Sequence, residues 1–69
     1  MPSEALKTAR AILGVLTTEA EKAEKAITVL LPEVEKSDES LALGLMAQVK
    51  ALKLAAEEAE KLIDKIQSG

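Results

Sequence analysis

Residues 6–34 read LKTARAILGVLTTEAEKAEKAITVLLPEV, and this stretch decides the fold. Aliphatic residues recur in it every three or four positions: Leu6, Ala9, Leu13, Leu16, Ala20, Ala23, Ile27, Leu30 and Val34. Such spacing lays one apolar stripe along an α-helix, with the seven-residue repeat of a packed seam. The pattern returns in residues 42–66, ALGLMAQVKALKLAAEEAEKLIDKI, as Ala42, Leu45, Val49, Leu52, Ala56, Ala59, Ile63 and Ile66. Between the two stripes, KSDES (36–40) has no apolar member, and Ser37 or Asp38 can cap a new helix there. Pro2, Ser3 and Glu4 read as a helix start, with Ser3 as the cap and Glu4 at the positive end of the helix dipole. The sequence therefore predicts an all-α chain, an antiparallel two-helix hairpin with helices at about 3–36 and 38–67, in one helical domain over 1–69.

Folding the chain back at residue 37 brings residue i near residue 75 − i. Ala9 is then expected near Ile66, Leu16 near Ala59 and Ala23 near Leu52, so that small residues face large ones, and Leu30 is expected near Leu45. A three-helix alternative, with segments at about 3–14, 18–36 and 38–67, rests on a break near 14–18. Gly14 can end a helix there, and Thr18-Glu19-Ala20-Glu21 fits a capping box. Against that break, the heptad phase runs through it without a slip. Pro32 cannot donate to the carbonyl of Thr28 and is expected to bend the first helix on its outer side.

The 69 residues include 48% apolar and 30% charged side chains, with a net charge of −3 and no Cys, His or aromatic residue. Chains this short need staples or partners to bury enough surface. Disulfides and the usual zinc ligands are absent, which leaves partner chains. Arg10 is the only arginine, and basic residues do not cluster, so no nucleic-acid surface is expected. No apolar run reaches the roughly 20 residues of a membrane span. No basic segment follows Met1, so no signal peptide is expected, and the cellular compartment is left open.

A second apolar set lies off the seam. As candidate oligomer interface it comprises Ile12, Val15, Ala26, Val29 and Leu31 on the first helix, and Leu41, Leu43, Met46, Ala47 and Leu54 on the second. In a lone hairpin these side chains would face water, and contiguous exposed apolar surface on a small chain marks an interface. Gly14 and Gly44 lie in charge-free segments and are expected at close helix contacts.

The other constellations read as solvated helix. Glu57, Glu58, Glu60 and Asp64 could hold a hard cation, but pairs such as Glu58–Lys61 explain them as an exposed face. Glu19–Lys22 and Glu21–Lys25 are expected to support the segment TEAEKAEK (18–25) in the same way. No nucleophile has a plausible base, and no phosphate-binding loop is present. No catalytic residue, metal, cofactor or small-molecule ligand is expected, and the chain is read as no enzyme.

PSEALK (2–7), KSDES (36–40), AEKAEKA (20–26), AAEEAEKL (55–62) and the Ser68-Gly69 end, with every aromatic, His, Cys and Asn missing, resemble de novo designed helical homo-oligomers. The resemblance covers the whole chain. Gly14, Pro32 and the Thr17-Thr18 pair depart from an idealised helix. It implies that assembly itself is the function, as a structural self-assembling protein with cyclic symmetry whose partner is another copy of the chain. The competing expectation is a helical binding module that docks its second apolar face on another protein. Interface anchors are most often Trp, Tyr or Arg, and their near absence favours self-association.

Overall fold

The computed structural model describes residues 3–69, so Pro2 of the expected helix start lies outside the described residues. Two helices pack against each other: α1 over Glu4–Leu30 and α2 over Lys36–Ser68, joined by a 3-10 turn at Leu31–Glu33. No strand occurs among the described residues. The Cα envelope measures 53 × 14 × 13 Å, one long helix in length and two in width.

Ser3 starts α1 as its sequence implies. Its backbone is extended (φ −89°, ψ 152°), and its hydroxyl accepts from the Leu6 N–H at 3.1 Å. The helix then runs without a break to Leu30, so the three-helix alternative is overturned. Thr17 and Thr18 do not cap; their hydroxyls donate to the carbonyls of Leu13 and Gly14, at 2.9 and 3.1 Å. A threonine that bonds back four residues along the chain spends its hydroxyl inside the helix and leaves the ladder intact.

The inner boundary differs from the sequence reading, which carried the first helix to about residue 36. Pro32 has no N–H, so the α ladder ends with the Leu31 N–H bonded to the Ile27 carbonyl. The chain tightens into the 3-10 turn, with proline in its first turn where no donor is needed. Val34 and Glu35 then turn extended (ψ 148° and 155°), and α2 starts at Lys36. Pro32 therefore ends the helix instead of bending it. Ser37 and Asp38 belong to the first turn of α2 and do not cap it; the cap position falls to Glu35, whose side chain makes no capping bond.

The core is narrow. Ala20 and Ile27 on α1 and Ala42, Ala56 and Ile63 on α2 are the buried apolar residues. Leu6, Leu13, Leu16 and Ala23 are half-covered, as the α1 stripe predicts. On α2 the stripe is displaced. Leu45, Leu52 and Ile66, expected in the seam, are exposed, whereas Met46, Lys53 and Glu60 are half-buried in their place. The register itself is nearly as expected: Arg10 pairs with Asp64 and Thr28 meets Met46, residue numbers that add to 74 in both cases. The pairing level was legible, but α2 is rolled about its own axis.

Candidate interaction surface

The roll of α2 has an electrostatic counterpart along one flank of the hairpin. Arg10 donates from Nε to Asp64 Oδ1 at 3.0 Å and from Nη1 to Glu60 Oε1 at 2.6 Å. Farther along, Lys53 Nζ lies 3.9 Å from Glu24 Oε1, with both side chains about three-quarters covered. Thr28 Oγ1 donates to the Glu24 carbonyl at 2.9 Å and lies 3.8 Å from Met46 Sδ. Closing these contacts turns Lys53, Glu60 and Met46 inward, and the aliphatic stems of the charged residues then cover part of the seam.

The hydrogen bond that Arg10 donates to Asp64 raises the Arg10 pKa above its ordinary value, helped by the charges of Asp64 and Glu60 and opposed by desolvation. At neutral pH, well below the ordinary arginine value, a raised pKa stabilises the fold, and on the alkaline side that contribution fades as pH climbs past the raised one. Gly14 belongs to the same cluster. A Cβ there would stand 3.3 Å from Glu60 Oε1, so the missing side chain gives the carboxylate room to reach Arg10. At Gly44 nothing in the chain lies within 4 Å of a Cβ, and the close contact expected there is not made within the hairpin.

The acidic group of α2 is thereby divided. Glu60 and Asp64 turn to Arg10, and Glu58 lies 3.9 Å from Lys61. Among the described residues no three carboxylates converge as a metal site would require, and no helix is long and apolar enough to cross a membrane. Glu19 and Lys22 pair at 3.4 Å, while Glu21 and Lys25 form no ion pair among the described residues.

The opposite flank is apolar. The residue one place earlier in the chain lies roughly 100° around a helix. Because α1 and α2 run in opposite directions, that rotation carries both helices to the same side of the hairpin. On α2 it leads from Ala42, Met46, Lys53 and Ile63 to Leu41, Leu45, Leu52 and Leu62, and Ile66 continues the row. On α1 it leads from Leu13, Ala20 and Ile27 to Ile12, Glu19 and Ala26, with Leu30 at the end. Along this face Glu19, with its partner Lys22 at the edge, supplies the charge, and Gln48 is the neutral polar residue of the α2 row. Beside Glu19, an open apolar hollow of about 410 Å³ is lined by Ala11, Ile12, Val15 and Leu16.

The structure sorts the ten residues expected at an interface into three groups. Ile12, Ala26 and Leu41 lie on the open apolar face. Val15 and Val29 on α1, and Leu43, Ala47 and Leu54 on α2, are exposed outside that row, with Val15 at its edge where it lines the hollow beside Glu19. Leu31 and Met46 are half-buried within the chain: Leu31 in the 3-10 turn, Met46 on the polar flank beside Thr28. The sequence reading missed Leu30, Leu45, Leu52, Leu62 and Ile66 as surface residues, each between 45% and 63% exposed. A signal was present, since the 75 − i pairing puts Arg10 beside Asp64 and Glu24 near Lys53. Those opposite charges mark the flank toward which α2 rolls.

No protein-family model, curated protein or solved structure matches this chain.

Proposed function

We propose that this chain is a structural protein whose work is to assemble with copies of itself, a closed homo-oligomer of helical hairpins without catalytic activity. One observation carries the reading: eleven Leu, Ile and Val side chains are 45% to 75% exposed, against five buried apolar residues. Three of those five buried residues are alanines, which contribute little apolar area. A chain of this size with so slight a core draws its stability from surface it shares with a partner.

The composition of the exposed set selects the partner. It contains no Trp, Tyr or Phe, and the one arginine is engaged on the other flank. Interfaces between copies of one chain resemble a domain core cut in half, rich in Leu, Ile and Ala, which is what this surface offers. The likeness of the sequence to designed helical oligomers supports the same reading. Against catalysis, Thr17, Thr18 and Thr28 donate to backbone carbonyls and Ser3 caps α1, so none of these hydroxyls stands beside a base.

Light scattering on a size-exclusion column tests the proposal. The pure chain at tens of micromolar should elute with a mass that is a multiple of the monomer's. A monomer mass with cooperative unfolding would overturn it.

A further inference from the structure

The open apolar face has a geometry that specifies how a second copy covers it, and this inference rests on the self-assembly reading above. We propose that two hairpins bury this face against each other across a two-fold axis perpendicular to the helices. Each α1 lies antiparallel to α1 of the other copy and each α2 antiparallel to α2, which makes a four-helix bundle. Neighbouring helices are antiparallel throughout, the ordinary arrangement of such bundles.

Self-complementarity is the first support. In an antiparallel α2 pair centred between Lys53 and Leu54, Leu45 of one copy meets Leu62 of the other, Gln48 meets Ala59, and Leu52 meets Ala55. Large residues face small ones at the centre, and no charge enters the row. In an antiparallel α1 pair centred between Ala20 and Glu21, Ile12 meets the Val29–Leu30 end of the other copy, and Glu19 comes beside Lys22. The two centres are set by different residues, and the fold puts them at the same height. Arg10 pairs with Asp64 and Thr28 meets Met46, which sets Ala20 and Glu21 level with Leu54 and Lys53. A single axis therefore serves both helices.

Charge selects this arrangement over its rival. A two-fold axis parallel to the helices would set α1 against α2 of the other copy. Glu19 would then face Leu52 and Ala55, apolar surface that adds no second cation to the Lys22 of its own chain. In the perpendicular arrangement each Glu19 has Lys22 of its own chain at 3.4 Å and gains Lys22 of the other copy. The area is sufficient as well. A face 53 Å long and two helices wide, about 20 Å with side chains, offers about 1,000 Å² per copy, above the roughly 800 Å² of a stable interface.

The chain has no cysteine, so disulfide trapping reads the geometry cleanly. Chains carrying Leu45→Cys and Leu62→Cys are mixed in native buffer and oxidised mildly, with helicity checked by circular dichroism. We expect a disulfide-linked pair of the two different chains, absent when the mixture is oxidised in denaturant. A mixture of Ile12→Cys and Leu62→Cys should stay unlinked. Linkage of the second mixture but not the first would overturn this arrangement and leave self-assembly standing. A monomer mass for the unmodified chain would overturn both. Charge reversal is an independent check. Glu19→Lys should weaken association by about tenfold or more, and Glu19→Lys with Lys22→Glu should restore it. Equal association by all three proteins would remove the charge argument, and with it the choice of axis.

Discussion

Two glycines with the same place in a sequence pattern have different reasons to exist. Gly14 leaves room for the Glu60 carboxylate that Arg10 holds, whereas Gly44 has open space where a side chain would go. In a helix interior, glycine costs about 0.5–1 kcal/mol relative to alanine. Gly44→Ala should therefore raise stability by about that amount in urea unfolding followed by circular dichroism. Gly14→Ala should gain less, because its Cβ must displace the carboxylate by a few tenths of an ångström. A second residue-scale tension lies at Glu24, whose Oε2 is buried without a hydrogen-bond partner while Lys53 stands 3.9 Å from the other oxygen. Lys53→Met would leave that carboxylate alone and should cost about 1 kcal/mol, discounted for the solvent still reaching it. Replacing both, as Glu24→Leu with Lys53→Met, should be neutral or stabilising, since packing then replaces an imperfect pair. The same urea titrations decide, and a double variant weaker than the single one would show the pair to be favourable.

At the scale of the elements, both helices are set by their ends more than by their interiors. α1 has a working cap at Ser3 and stops where Pro32 withholds a donor. α2 starts less well, because Glu35 holds the extended cap conformation but makes no side-chain bond to the first turn. Asp38 and Glu39 partly compensate by placing negative charge at the positive end of the helix. Glu35→Ser would put a short hydroxyl where the free N–H groups of the first turn can reach it, and should stabilise the chain by about 1 kcal/mol. An unchanged thermal midpoint would mean that water or Asp38 already satisfies those donors. The threonines give a contrasting case. A Thr-Thr pair after a glycine has the composition of a break, yet two back-bonds to Leu13 and Gly14 keep α1 continuous through it.

For the whole molecule, the arrangement of flanks matters more than the count of apolar residues. One flank joins the helices through Arg10, Glu60, Asp64, Glu24 and Lys53, and the other presents Leu, Ile and Ala nearly without charge. The hairpin half-buries Arg10, Glu24, Lys53 and Glu60 while exposing leucines such as Leu41 and Leu52, the pattern expected of a chain that assembles as proposed. Its stability should then depend on concentration, because a partner that binds only the folded chain shifts unfolding by mass action. The thermal midpoint should rise between one and one hundred micromolar. Leu52→Glu with Leu62→Glu should lower it and remove that dependence. A midpoint independent of concentration in the unmodified chain would contradict assembly.

The sequence by itself determined the helical class, the cap at Ser3 and, for a hairpin, the pairing level to within one residue, because each follows from local spacing and chain length; two helices rather than three followed only from the unbroken α1. It determined the α1 stripe too, where Ala20 and Ile27 are buried as read. It misplaced the inner helix boundary, since a polar run and a proline both signal an interruption and only the folded chain shows which ends the ladder. The tertiary structure alone decided which side of α2 faces α1. A seven-residue repeat fits two adjacent stripes on one helix almost equally, Ala42–Val49–Ala56–Ile63 with Leu45 and Leu52 or with Met46 and Lys53. Periodicity cannot choose between stripes that differ by a small roll. Contacts made at a distance in the chain can, and here Arg10 to Glu60 and Asp64, with Glu24 to Lys53, mark the side of α2 that faces α1 and leave the leucines outward.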